Sequence, residues 1–396
     1  MSGYPARVAG CMLGKFAGDV LGAPVEGWAA EDIRSVYPDG LTSFAHTERG
    51  LLQRGGRVDD VHAARCYADE YQSHRGYGGT AYKVLACIKR HGINSESIKT
   101  IGTEFIPSGS FGNGGAMRIA PLGLVYRHAP PAVLRSAVAA ALRCTHVHPT
   151  ALDGALVVAL AVGYLATRAP GAATARSPRS PSRSPPQAAG SSPPAATQGS
   201  AIDGQSSYTG GAGGAAAGPG AGGTVGSPGR RAGEASDGVA TPAGLLGHLL
   251  AHSAYLETAE MVEKLRAVQA ALGTASEFKP ASQPWHSYFA SRGWAAELQL
   301  QATVAEKFQI RADDAAAAAV AALCWHWACP EDAVVAAVHY GGDTDTVAAI
   351  TGALAGALHG TSWIPLRWWD NLENGPAGRD EVLALATQLA ALDTTA

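Results

Sequence analysis

Along most of the chain, apolar residues cluster without the strict alternation that marks a half-buried strand. Pro131–Leu142 and Ala151–Ala166 are rich in Ala, Leu and Val with no period of two. Ala243–Ser253, Ala259–Leu272, Ala295–Phe308, Ala312–Trp327, Glu331–Val338 and Asp380–Leu392 behave in the same way. β-Branched residues are few and never alternate over the length of a strand. The pattern predicts helices throughout, and the fold class it predicts is all-α. Two segments also carry a glycine at every fourth position: Gly10, Gly14, Gly18 and Gly22, then Gly352, Gly356 and Gly360. Residues i and i+4 share one face of a helix, so each segment offers a stripe bare of side chains where another helix can approach closely. A membrane reading of such stripes fails for the first, which Lys15 and Asp19 interrupt. It fails for the second because an apolar run of about 14 residues is short of the roughly 20 needed to span a bilayer.

One break in composition divides the chain. Residues 170–241 are mainly Pro, Ser, Gly and Ala, with runs such as SPRSPSRSPPQAAG and GGAGGAAAGPGAGG. Such a segment has too little apolar surface to offset its ordering entropy, and it reads as a disordered low-complexity insertion. Residues 1–169 and 242–396 are then the two parts of one interrupted domain.

Overall composition narrows the function. Of 396 residues 16% are charged, against roughly 25% in an average domain, and the formal net charge is −3. A chain without a basic footprint is not expected to bind DNA. Cys11, Cys66, Cys87, Cys144, Cys324 and Cys329 are scattered without a CxxC pair, which favours reduced thiols inside a cell. The first residues show no apolar leader and no cleavage site. The expectation is a soluble intracellular monomer, in cytoplasm or nucleus with the mitochondrion left open, that does not enter membranes.

Three motifs carry candidate chemistry. Gly341-Gly342-Asp343-Thr344-Asp345-Thr346 leads into the apolar segment Val347–His359. A helix start favours negative charge, and a single Asp or Thr cap contributes about 1 kcal/mol. One cap explains one residue, whereas two carboxylates and two hydroxyls make a cluster of hard oxygens suited to Mg²⁺ or Ca²⁺. The loop Gly109-Ser110-Phe111-Gly112-Asn113-Gly114-Gly115-Ala116-Met117-Arg118 lacks the Gly-Lys-Ser/Thr ending of a P-loop. Its backbone can either form ordinary turns or cradle a phosphate as a nest. Thr145-His146-Val147-His148-Pro149 has an H-x-H pair but no further Cys or His at zinc-ligand spacing, so a hydrogen-bonding or stacking histidine is the better reading.

In order along the chain, GCMLGKFAGDVLGAPVE, GSFGNGGAMRIAPLGLVY, THVHPTALDGALVVALAV and GGDTDTVAAITGALAGALHG resemble the ADP-ribosylglycohydrolase family. The wording GNGGAMR and the segment YADEYQSHRGYG are closest to its serine-ADP-ribosylhydrolase subfamily, which also degrades poly(ADP-ribose). The resemblance covers nearly the whole chain outside the insertion. It implies a single orthogonal α-helical domain with two Mg²⁺ ions at the bottom of an ADP-ribose cleft. Carried over residue by residue, it implies metal ligation by Asp343, Asp345 and Thr346 and a functional glutamate at Glu26. It implies substrate binding by Gly109, Ser110, Phe111, Gly112, Asn113, His146 and Ile310, with Asp19 in a supporting or structural place. Phe111 stands where the subfamily usually has Tyr. The implied reaction is Mg²⁺-dependent removal of ADP-ribose from serine-ADP-ribosylated proteins, or degradation of the polymer. Its partners would be ADP-ribosylated proteins, ADP-ribose or poly(ADP-ribose).

One family element departs. The other half of the metal site is a Thr-Asp-Asp-Thr segment, and the nearest candidate is Val58-Asp59-Asp60-Val61, which has neither threonine. Either Asp59 and Asp60 are degenerate ligands, or a helix of the family has been deleted and these residues open the next one. The second fits the flanking residues better. It leaves a competing function, a catalytically impaired ADP-ribose-binding or structural relative with half the metal site and a single ion.

Overall fold

In a computed structural model the chain divides into two units, Met1–Pro178 with Asp237–Ala396, and Arg179–Ser236. The structure describes residues 3–36, 58–71, 78–170, 238–274, 308–375 and 378–392, all within the first unit. Most of the insertion expected at 170–241 and most of the helix expected at 295–308 lie outside the described residues.

The described residues are helical apart from one short strand pair. The helices are α1 (Tyr4–Gly22), α2 (Ala30–Val36), α3 (Asp60–Asp69), α4 (Gly79–His91), α5 (Ile101–Glu104), α6 (Gly114–Met117), α7 (Ala120–Val125), α8 (Pro131–Leu142) and α9 (Pro149–Ala166). After the insertion come α10 (Pro242–Ala251), α11 (Ala259–Thr274), α12 (Ala312–Trp325), α13 (Pro330–His339), α14 (Thr344–His359), α15 (Leu366–Trp369) and α16 (Arg379–Ala390). The strands β1 (Ala169–Pro170) and β2 (Val239–Ala240) pair in parallel, Ala169 against Val239 and Pro170 against Ala240. Seven of the eight helices expected from hydrophobic pattern are present within a residue or two of their expected ends. Pro at the first turn and a side-chain cap at the start explain several of those ends. Thr241, for example, caps α10 by accepting from Gly244 N at 3.0 Å, with Pro242 next.

α14 and α9 form the centre of the core and are buried on nearly every side. A helix apolar all round belongs inside. Tyr4–Val25 and Pro149–Ala166 are long and apolar enough to cross a membrane, yet both pack within the fold.

α14 lies against α1, α9, α12 and α13. Its contact with α1 is made by the two glycine stripes, which face each other with the helices antiparallel. A Cβ built on Gly10 would stand 2.1 Å from the Gly360 carbonyl oxygen, one on Gly14 2.1 Å from that of Gly352, and one on Gly18 1.9 Å from that of Ala348. At the far end, a Cβ on Gly22 would stand 2.2 Å from the Asp345 nitrogen. Backbone thus rests on backbone along the whole interface, and no side chain fits between.

This contact predicts a severe effect from a single methyl. In Gly356→Ala the new carbon would meet the Gly10 carbonyl oxygen at 1.8 Å, a distance only a separation of the helices can relieve. Ordinary overpacking costs about 1–3 kcal/mol, and here the loss should reach or exceed the top of that range despite the gain in helix propensity of about 1 kcal/mol. Urea unfolding of the variant measures it, and an unchanged midpoint would place the stripe out of contact.

Candidate functional site

The antiparallel glycine contact brings the end of α1 to the start of α14. Glu26 follows α1 after a single 3₁₀ turn, Ala23–Val25. The chain then zips onto the glycines before α14: Gly27 N donates to Gly342 O at 2.8 Å, and Gly342 N donates to Trp28 O at 2.9 Å. Gly341 and Gly342 have φ of 74° and 75°, a left-handed conformation that glycine adopts without strain. A Cβ on Gly341 would also meet Ala30 N at 2.7 Å. Thr344 completes the join, its buried hydroxyl donating to Gly22 O at 2.7 Å.

The outcome is a group of three carboxylates. Glu26, Asp343 and Asp345 each place an oxygen within 4.8 Å of the others. Asp343 occupies the N-cap position of α14, but its side chain caps no helix N–H. Two carboxylates that close would, if both ionised, repel by about 3 kcal/mol at an effective dielectric of 20, more than a cap returns. Capping therefore does not account for the cluster, whereas a divalent cation would cancel the repulsion. Its donor set is hard oxygen only, which fits Mg²⁺ or Ca²⁺. Burial pushes the Asp345 carboxyl well above the usual range, with the hydrogen bond and charge of Asp343 next and the charges of Glu26 and Asp19 behind. Burial and then Asp343 push Glu26 up as well. Thr346 is buried beside the cluster, its hydroxyl 3.6 Å from Met117 Sδ.

The glycine loop is fastened to this cluster by two residues. Asn113 Nδ2 donates to Asp343 Oδ2 at 2.7 Å and to Gln309 O at 2.6 Å. The fully buried Gln309 in turn accepts from Asp343 N through Oε1 at 3.2 Å. Asn113, expected to face substrate, thus spends both amide protons on orienting Asp343 and holding the next strand of chain. That chain, residues 309–312, pairs antiparallel with the loop through Gly112 and Arg311. Asn113 N donates to Ile310 O at 2.8 Å, and Ala312 N donates to Phe111 O at 3.1 Å. Buried Asp313 and Asp314 anchor it from behind, with Lys264 of α11 at 2.8 and 2.5 Å. Burial pulls the Asp313 carboxyl up, but the hydrogen bonds and charges of Arg311 and Lys264 outweigh it and hold it low.

The other expected substrate residues line the loop. Gly109 has φ of 76°, and a Cβ there would meet Val147 Cγ2 at 2.5 Å. Ser110 Oγ accepts from Gly112 N at 3.2 Å. Phe111 and Ile310 are 42% and 50% exposed, and Phe111 meets His148 edge-on at 6.1 Å. His146 is buried under the loop. His148 caps α9 by accepting from Thr150 N at 3.2 Å, so the two histidines of H-x-H have separate duties. Asp59 and Asp60 are engaged elsewhere. Asp59 caps α3 by accepting from His62 N at 2.7 Å, and Asp60 pairs with Arg143 at 2.8 Å.

Sequence reading missed Gln309 and the structural duty of Thr344. Thr344 lies inside a motif already singled out, whereas Gln309 is one polar residue between Phe308 and Ile310, with no spacing to mark it.

A family model for ADP-ribosylglycohydrolase matches residues 2–396. The chain belongs to the ADP-ribosylglycohydrolase family. An uncharacterized protein of Archaeoglobus fulgidus is 32% identical over 164 residues, 38% of this chain and 53% of that one. ADP-ribosylhydrolase ARH3 of Gallus gallus is 29% identical over 185 residues, 40% of this chain and 50% of its own. The Homo sapiens ARH3 is 30% identical over 184 residues, 40% and 49% of the two chains. The chain thus spans about half the length of the curated relatives it matches. A solved chain described as an ADP-ribosylglycohydrolase-related protein complex superposes with a TM-score of 0.56 at 21% identity, covering 99% of both chains. That likeness is one of fold.

The carboxylate cluster sets a pH dependence with a definite sign. A carboxyl raised in the folded state binds its proton more tightly there than in the unfolded chain. Its stabilising share is complete below the ordinary carboxylate range near 4 and is lost as pH rises through the raised value. Without divalent cations the protein should therefore melt progressively lower from pH 5 to pH 8 through Asp345 and Glu26. Millimolar Mg²⁺ or Ca²⁺ should restore the melting temperature, most at pH 8. A cation effect absent at pH 8 would contradict a metal role for the cluster.

Proposed function

We propose that the chain is a metal-dependent hydrolase that removes ADP-ribose from serine-ADP-ribosylated proteins, and that Mg²⁺ is its ion. The observation that carries the reading is the three-carboxylate group of Glu26, Asp343 and Asp345, held against the glycine loop through Asn113. Family membership and the likeness to ADP-ribosylhydrolases support it. Asp343 and Asp345 would hold the ion with Glu26 beside them. When bound, the ion supplies Lewis acidity and positions oxygen donors of the ribose and water.

The chain's own residues do the rest. The scissile C1″–O bond breaks through an oxocarbenium-like state, as in glycoside hydrolysis. Water adds at C1″, and its proton must be taken up while serine leaves with one. Glu26 is exposed at the rim of the cluster, and its raised carboxyl brings its proton exchange closer to neutral pH, as general acid–base work requires. Asn113 fixes Asp343 by occupying Oδ2, which limits how that carboxylate can turn. The exposed Phe111 and Ile310 offer apolar surface for a flat base, with the loop between them and the carboxylates.

A second reading has its own observation. Asp59 and Asp60 are committed to a helix cap and to Arg143, and the three-carboxylate group does not include them. That favours an ADP-ribose-binding relative with an incomplete metal site and slow turnover.

Release of ADP-ribose from a serine-ADP-ribosylated peptide, with and without Mg²⁺, decides between them. Mg²⁺-dependent release that Asp345→Asn abolishes supports the hydrolase. In that variant the metal-free protein should lose less stability than wild type between pH 5 and pH 8, because the amide has no proton to give up. Tight ADP-ribose binding without release supports the second reading, and neither activity would overturn both.

A further inference from the structure

His146 lies between Thr145 and the glycine loop, and its proton positions follow from what surrounds it. Nδ1 is 2.8 Å from Thr145 Oγ1. The Thr145 hydroxyl has one proton to give and two lone pairs to offer. Arg118 Nη2 donates into one of those lone pairs, and an arginine can only donate. The hydroxyl proton then has three directions, His146 Nδ1 at 2.8 Å, Leu142 O at 3.5 Å or the sulfur of the neighbouring Cys144. O–H···O bonds run from 2.5 to 3.0 Å, so the carbonyl is out of reach; a cysteine sulfur accepts only weakly, so the proton points at Nδ1. A nitrogen that accepts is unprotonated, and the partner at one ring nitrogen determines the state of the other.

We propose that an Arg118–Thr145 relay holds His146 as a neutral imidazole with its proton on Nε2, a fixed N–H donor aimed at the glycine loop. Arg118 and Thr145 are positioning residues that act through His146. The Nε2 edge faces the loop: a Cβ on Gly114 would lie 3.4 Å from Nε2, and one on Gly112 3.7 Å. No described residue accepts from Nε2, which leaves its N–H available to an acceptor lying on the loop. That acceptor is a phosphate or ribose oxygen lying on the loop, an assignment that rests on the ADP-ribose reading above.

Burial and the charge of Arg118 both disfavour the imidazolium, holding His146 well below the usual histidine value. Arg118 is itself fixed, donating to Gly114 O at 2.8 Å and lying 4.6 Å from the Tyr67 ring of α3. The other charged groups on this side, Asp60 of α3 and Arg143 after α8, are paired with each other. Leu142 and the backbone of Gly115 close the remaining face.

The test uses nitrogen shifts of the full ¹⁵N-labelled chain, with His146 assigned by its absence in His146→Gln, and ADP-ribose titration alongside. In wild type, His146 should show a protonated Nε2 and a hydrogen-bonded, unprotonated Nδ1 from pH 5.5 to 8. Thr145→Val removes the hydroxyl at nearly constant volume. It should move the Nδ1 shift to that of an unbonded nitrogen, admit the second tautomer and weaken ADP-ribose binding about tenfold. Thr145→Ser should restore all three. A protonated Nδ1 in wild type, or an Nδ1 shift that Thr145→Val leaves in place, would overturn the relay. If wild type shows the expected shifts but does not bind ADP-ribose, the relay stands and the functional reading falls.

Discussion

The direct contact of the α1 and α14 backbones is the constraint on which the rest of the molecule depends. Two helices normally stand 8–10 Å apart with side chains between them, a layer that can repack when either partner shifts. Gly10, Gly14, Gly18 and Gly22 remove that layer, as do Gly352 and Gly356 on the facing helix. Without it, each carbonyl of one helix sits against a specific glycine of the other, and sliding by one residue would drive a side chain into backbone. Register is therefore fixed sterically, and with it the separation of Glu26 at one helix end from Asp343 and Asp345 at the other. A group of like charges needs such a scaffold, since the carboxylates would otherwise move apart.

Charge and backbone cooperate at that end. Three glycines with positive φ, Gly27, Gly341 and Gly342, let two chain segments exchange hydrogen bonds in the space of a few residues. Thr344 adds a side-chain bond to Gly22 O. The motif GGDTDT thus divides its labour: the glycines turn the chain, the first threonine joins the helices, and the aspartates meet Glu26 in the carboxylate group. The glycine loop reaches the same point through Asn113 and Gln309, so the two halves of the site share a hydrogen-bond network rather than mere proximity.

Much of this was legible in sequence because it is written in spacing. The fourfold glycine period announced a close helix contact, apolar runs without alternation announced helices, and D-T-D marked the acids. What spacing could not carry was tertiary in origin. Gln309 matters because its amide lands on Asp343 N, a partner 34 residues away. Asn113 reads as a loop residue, and no spacing shows that its two amide donors go to Asp343 and Gln309. Asp59 and Asp60 are ambiguous for a related reason: an acid pair at a helix start serves equally well as metal ligands or as cap and ion pair, and spacing shows nothing of their partners His62 and Arg143.

The strand pair of Ala169–Pro170 with Val239–Ala240 carries a consequence for how this chain can vary. It brings the two edges of the low-complexity tract side by side. Just before it, Arg7 of α1 donates to the carbonyls of Leu165, Ala166 and Arg168, which seals the exit of α9. The domain thus sees the tract as two adjoining stubs whatever lies between them. Lengthening a loop whose ends are already joined costs little, about 0.6 kcal/mol per doubling. The helical fold is therefore nearly indifferent to the tract's length and content. The doorway at Ala169 and Val239 is a place where the gene can gain, lose or exchange whole passages without the helices registering the change.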